Sequence, residues 1–173
     1  MAIGHFDAAH MLAPMPVAAN LGLTPFADSI IAPLALGLGG NAITLSKALY
    51  ERLGSPRISD SAKVAGLALR GEIDRRTKSG EEMVRFGVVH PHSSHFLELR
   101  YWLSACGIDP ENEVNTIILP PQFLPDALAQ GTIDGFCVGE PYNSIALHQG
   151  SGVLAISKHA IWRNSPEKVL GVR

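Results

Sequence analysis

The stretch Leu124-Pro125-Asp126-Ala127-Leu128-Ala129-Gln130-Gly131-Thr132-Ile133-Asp134-Gly135-Phe136-Cys137-Val138-Gly139-Glu140-Pro141 decides the fold. Pro125 to Ala129 reads as a short helix that ends at Gly131. Ile133 to Val138 is a short apolar run bounded by turn residues, which reads as a strand. Gly139-Glu140-Pro141 is a turn, and Pro141 to Gly150 is helical. Val153 to Ser157 is the next strand. Strands alternating with helices imply a largely parallel sheet covered on its faces.

The same alternation extends upstream. Arg85 to Val89 is a strand, Ser93 or Ser94 caps a helix from His95 to Cys106, and Val114 to Leu119 is a strand before Pro120-Pro121. Ser59 or Asp60 caps a helix from Ser61 to about Ile73. Arg75-Arg76-Thr77-Lys78-Ser79-Gly80 reads as a charged, exposed connection. Ala42 to Leu53 reads as a helix on the spacing of Ile43, Leu45, Leu49 and Leu53, closed by Gly54-Ser55-Pro56. Before it, Ile30 to Leu38 reads as a buried strand and Gly39-Gly40-Asn41 as a turn. Phe6 to Met11 is a strand and Pro16 to Leu21 a helix. Ser165-Pro166-Glu167 opens a last helix, with Pro at its first position.

Composition excludes several classes. The 173 residues are 46% hydrophobic and 17% charged, enough for a packed core. A net charge of −2 with 6% aromatic residues offers neither the basic face nor the stacking platforms of a nucleic-acid binder. No apolar run is long enough to span a membrane. Met1 to His5 lacks the basic start and apolar centre of a signal peptide. Cys106 and Cys137 read as inert buried thiols. Gly4-His5-Phe6-Asp7-Ala8 resembles Gly131-Thr132-Ile133-Asp134-Gly135, but only the second copy has a helix before it. That contrast leads to the expectation of a longer parent protein, cut at both ends.

Chemistry could sit at His90-Pro91-His92-Ser93-Ser94-His95. Three readings stand: a zinc site, ordinary polar loop residues, or anion capture. In the last, the open N–H groups of a helix start are joined by Ser93, Ser94 and His95. A second strand–turn–helix junction is expected at Gly39-Gly40-Asn41, where glycine lets the backbone approach a ligand and Asn41 can donate. Glu140-Pro141-Tyr142-Asn143 either lines a cleft or caps a helix. Arg75, Arg76 and Lys78 read as a solvated face.

Five stretches together resemble one family. They are Gly4-His5-Phe6-Asp7-Ala8-Ala9-His10-Met11 with Pro14-Met15-Pro16; Gly40-Asn41-Ala42-Ile43; His95 to Pro110 with Arg100-Tyr101-Trp102-Leu103 and Cys106-Gly107-Ile108-Asp109-Pro110; Gly135-Phe136-Cys137-Val138-Gly139-Glu140-Pro141-Tyr142-Asn143; and Ser165-Pro166-Glu167-Lys168. The family is the nitrate- and bicarbonate-binding proteins of bacterial ABC transporters, including the cytoplasmic nitrate/nitrite sensor branch. The resemblance implies an α/β fold of the type II periplasmic-binding-protein kind, with two lobes of mostly parallel sheet, here incomplete. Residues 1–80 would be a partial lobe one with the crossover, and 81–173 lobe two with the start of the return.

The resemblance also implies a role. A small oxyanion, nitrate or nitrite first and bicarbonate second, would be captured between the lobes without catalysis, cofactor or metal. The partner would be an ABC permease, for a periplasmic protein, or an antiterminator, for a cytoplasmic one. His95 matches the family's ligand-contacting His. Asn41 stands where the family uses Gln, and Lys168 where a Lys supplies positive charge, which favours a simple anion over an anion–metal pair. His10-Met11 matches a Gln-Trp pair. Gly40, Ser94 and Glu140 complete the expected ligand-binding set. The alternatives are an enzyme of related fold, thiamine-pyrimidine-synthase-like or a His-cluster metal hydrolase, and a nonfunctional fragment of the binding protein.

Overall fold

A computed structural model describes residues 5–24 and 29–173. Gly4, the first residue of the internal repeat, lies outside them. The described chain forms two compact units: residues 1–40, 92–94 and 164–173, and residues 41–91 and 95–163. The expected division at residue 80 is therefore not the one the contacts draw. Residues 41–80 join the second unit because their strand pairs inside its sheet.

In the first unit, β1 (Ala8–Leu12), β8 (Lys168–Val172) and β2 (Ile31–Gly37) form an antiparallel sheet in the order β1-β8-β2. Helix α1 (Met15–Asn20) has Pro16 in its first turn. Asn20 ties the start of β2 to this helix: its Nδ2 donates to Ile30 O and its Oδ1 accepts from Ile30 N, both at 2.9 Å. Two expectations fail here. Strand β2 is exposed from Ile31 to Leu36 because it has only β8 beside it, and Pro33 suits such an edge. Ser165-Pro166-Glu167 opens no helix. Asn164 turns with φ 61° and the chain enters β8, where buried Val169 and Gly171 alternate with half-buried Lys168, Leu170 and Val172.

The second unit holds β3 (Asn41–Ser46), β4 (Val84–Val88), β5 (Val114–Ile118), β6 (Gly135–Gly139) and β7 (Gly152–Ser157), in the order β5-β4-β6-β3-β7. Strands β5, β4 and β6 run parallel, and β3 runs antiparallel to both β6 and β7. The sheet is thus mixed, with the expected parallel set interrupted by β3. The helix expected over Ala42–Leu53 is in fact β3 followed by α2 (Lys47–Arg52). Ile43, Thr44 and Leu45 are all buried inside the sheet. Ser46 then switches the chain to helix, its Oγ accepting from Leu49 N at 3.2 Å.

Helices α3 (Ala62–Ser79) and α4 (Ser94–Ala105) frame the larger core, built on Leu69, Phe86, Leu99, Trp102 and Leu103. Helices α5 (Leu124–Ala129) and α6 (Tyr142–His148) frame the second, around Leu124, Leu128, Phe136 and Ala146. Strand β6 joins the two: Cys137 enters one core, and Phe136 and Val138 the other. Both faces of the sheet are therefore covered, as the alternation of elements requires. Asn143 of α6 clamps the sheet, donating to Val138 O at 2.9 Å and accepting from Thr44 Oγ1 at 2.8 Å.

Helix α3 runs six residues beyond the expected end at Ile73. Arg75 and Lys78 are exposed, as expected of a solvated face, but Arg76 is not. Arg76 is 9% exposed, and the two guanidiniums converge on buried Glu72. Arg76 also faces Asp134 at 3.5 Å, which anchors the turn before β6. Among the described residues no helix is long and apolar enough to cross a membrane.

Candidate functional site

The carboxyl ends of β4, β5 and β6 lie at one edge of the second unit's sheet. Open α/β sheets bind ligands at that edge. Antiparallel β3 starts there, placing Asn41 opposite Gly139, with Ala42 opposite Ser157 at the end of β7. Three further elements leave the same edge: the His90–Ser93 loop into α4, Glu140-Pro141 into α6, and Ser157 into α7 (Lys158–Ile161).

A buried polar cluster forms at this edge. Asn41, Glu98 and Lys158 are 3%, 4% and 3% exposed. Asn41 Nδ2 donates to Glu98 Oε2 at 3.0 Å, and Lys158 Nζ lies 3.4 Å from Glu98 Oε1. His95 precedes Glu98 by three residues on α4, so both lie on one face of the helix, and His95 is buried too. Asn41 Oδ1 and His95 Nδ1 are shielded from solvent. Charges are taken out of water only where partners compensate the desolvation. Glu98 supplies that compensation with one oxygen on an ammonium and the other on an amide.

Glu98 and Lys158 stood outside the expected site. Their signals were present in the sequence: Glu98 is spaced three from His95, and Lys158 directly follows a strand.

Asn41 and His95 therefore share this edge. Glu140, which follows β6, is exposed and accepts from Ser144 N at 3.1 Å, as the capping alternative of its two expected roles has it. Asn41 opens a strand rather than a helix, so no strand–turn–helix junction forms at Gly39-Gly40-Asn41. Gly40 belongs to the first unit and has φ 96°, which favours glycine.

The remaining expected residues also lie in the first unit. Ser94 is buried at the start of α4, and its Oγ has no hydrogen-bond partner among the described residues. His10 is exposed on β1, opposite Leu170 of β8. Met11 fills the space over Gly171: a Cβ there would meet its Sδ at 2.5 Å. Lys168 pairs with Leu12 and Gly37 across the sheet, and its Nζ lies 2.5 Å from Glu167 Oε1. Among the described residues, no group of three His, Cys, Asp or Glu is disposed to hold a metal ion. His92 Nε2 lies instead 3.1 Å from Leu23 O. Cys106 and Cys137 are buried and in no disulfide, and burial pushes the Cys106 thiol up.

The family model described as NMT1-like matches residues 1–173. The chain belongs to the NMT1-like family. It is 39% identical, over 96% of its length, to the nitrate import ATP-binding protein NrtC of Synechocystis sp.. It is 40% identical, over 98% of its length, to the bicarbonate transport ATP-binding protein CmpC of Synechococcus elongatus. The match covers 23% of the first protein and 24% of the second, so the NMT1-like chain spans about a quarter of these relatives. The crystal structure of the periplasmic nitrate-binding protein NrtA from Synechocystis superposes with a TM-score of 0.82 at 26% identity. That superposition covers 99% of this chain and 42% of NrtA. The α/β fold of periplasmic binding proteins expected from the sequence is thus the fold of this NMT1-like chain, which covers part of it.

Proposed function

We propose that this NMT1-like chain is part of a solute-binding protein that captures a small oxyanion for ABC-type import. The single observation that supports this most is the cluster of Asn41, His95, Glu98 and Lys158. It is a buried polar group at the carboxyl edge of a sheet whose fold matches a nitrate-binding protein. His95 supplies an imidazole donor to an anion oxygen. Lys158 supplies positive charge whose repulsion-free partner, Glu98, keeps it in place without a ligand. The role is binding without chemistry, in line with relatives that are transport proteins. For Lys168, His10, Met11, Gly40 and Ser94 a ligand-binding role rests on the sequence resemblance alone. Nitrate, nitrite and bicarbonate are the candidate solutes.

The test is thermal unfolding of the chain with each of the three sodium salts at millimolar concentration, alone and with His95→Ala. A solute at about 100 times its dissociation constant adds about 2.7 kcal/mol to folding. The expected result is a higher midpoint with at least one salt over a sodium chloride control, lost in His95→Ala. No shift with any of the three refutes the proposal.

A further inference from the structure

Strand β2 lacks the usual protection of a sheet edge. Among the described residues it has only β8 beside it, and Ile31 to Leu36 are exposed. Edges of this kind are ordinarily guarded by charged side chains, proline or bulges. Pro33 and two irregularities of register against β8 guard the backbone here. No charge guards the side chains: from Ser29 to Ser46 the sequence has no Asp, Glu, Lys or Arg. Ile31, Leu34, Leu36 and Leu38 are between 46% and 61% exposed. Asn20, hydrogen-bonded to Ile30 through both arms of its amide, brings Leu21 and Leu23 to the start of the strand. Those two leucines are also more than half exposed.

We propose that β2, with Leu21 and Leu23, is a homodimer surface on which a second copy of this chain docks its own β2 about a two-fold axis. At roughly 100 Å² each, the six apolar side chains supply about three quarters of the roughly 800 Å² that a standard interface takes from one partner. Exposed Ala32, Pro33 and Ala35 add to it. Monomeric proteins rarely leave an apolar patch of that extent in water. A second copy suits the patch because it presents the same uncharged strand. A charged partner would have its own groups taken out of water there with no counter-charge. The net charge of −2 sets little repulsion between copies. A two-fold contact uses the same patch on both chains and so closes on itself. Pro33 and the irregular register oppose extension of the hydrogen-bond ladder. Side chains therefore carry the contact, and assembly stops at two.

The experiment is sedimentation velocity of the full chain from about 1 to about 100 μM, a range that brackets micromolar association. The expected wild-type mass rises across this range from one chain to two and goes no higher. Leu34→Lys and Leu36→Lys each set like charges against each other across the two-fold contact. Each should raise the dissociation constant at least about tenfold. Leu67→Lys changes a comparably exposed leucine of α3, in the other unit, and should leave the mass as in the wild type. Circular dichroism verifies that each variant is folded, and Leu36→Lys decides the matter where Leu34→Lys is not. A single chain at every concentration overturns the inference, as do assemblies larger than two. Dimers left intact by a folded Leu34→Lys or Leu36→Lys variant, or dissolved equally by Leu67→Lys, overturn it too.

Discussion

Removing the Glu72 carboxylate should cost more stability than any exposed charge change on α3. Glu72 has 4% of its side chain exposed and accepts from Arg75 Nε at 2.7 Å and Nη2 at 3.0 Å, from Arg76 Nε at 3.1 Å and from Arg52 Nη1 at 3.4 Å. The Arg75 hydrogen bonds, opposed by burial and aided by Arg76, hold its carboxyl at about 2 rather than the ordinary 4.5. The folded value is the depressed one. Its stabilisation is therefore complete above the unfolded value and lost as pH falls from 4.5 towards 2. That difference corresponds to about 3 kcal/mol at pH 7. Glu72→Gln keeps the volume and removes the charge, leaving buried Arg76 with Asp134 alone. At about 2 kcal/mol per molar urea, the unfolding midpoint at pH 7 should fall by about 1.5 M. The gap between wild type and variant should close as the pH approaches 2. Urea unfolding followed by circular dichroism from pH 7 down to pH 2 reads both effects. A midpoint shift under about 0.5 M at pH 7, or a gap that stays constant down to pH 2, would refute the reasoning.

Three other outcomes follow from the packing. Gly66→Ala should destabilise the chain by about 1–3 kcal/mol, although alanine favours a helix by about 1 kcal/mol. A Cβ at that position would collide with Cys106 Sγ. Cys106→Ala in the same chain should recover part of the loss in a thermal melt. Lys158→Met should cost about 3–5 kcal/mol by leaving Glu98 buried without its ion partner. Adding Glu98→Gln should restore much of it, as read by urea midpoints. Both cysteines should react with an aromatic disulfide reagent only at the rate of unfolding, since Cys106 and Cys137 are 6% and 1% exposed. Fast reaction of either thiol in the native protein would contradict the burial.

Residues whose neighbours in sequence and in space agree were legible. Ile133 to Val138 reads as a strand, and Gly135–Gly139 is one, because a run buried on both faces has few other homes. Gly131 and Gly107 stop their helices with φ 70° and 76°, as glycine after a helix suggests. Misreadings fell where one pattern serves two structures. Ile43, Leu45, Leu49 and Leu53 are apolar at spacings that suit a helix, but Ile43-Thr44-Leu45 is equally a strand buried between β6 and β7. The deciding signal was Ser46 with Leu49 three residues on, a cap in mid-segment. Arg76 read as solvated because nothing local announces that Asp134, far along the chain, lies across from it.

The candidate site follows the same logic one step further. Asn41 was singled out at a junction that the fold builds differently. It was expected to donate to an anion from a helix start, and it instead begins an inner strand with its amide nitrogen turned to Glu98. A donor and an acceptor share one side chain, and sequence alone cannot orient it. The orientation comes from a partner 57 residues away, itself held by Lys158. The arrangement of this edge is therefore written in a relation among three buried residues rather than in any one of them.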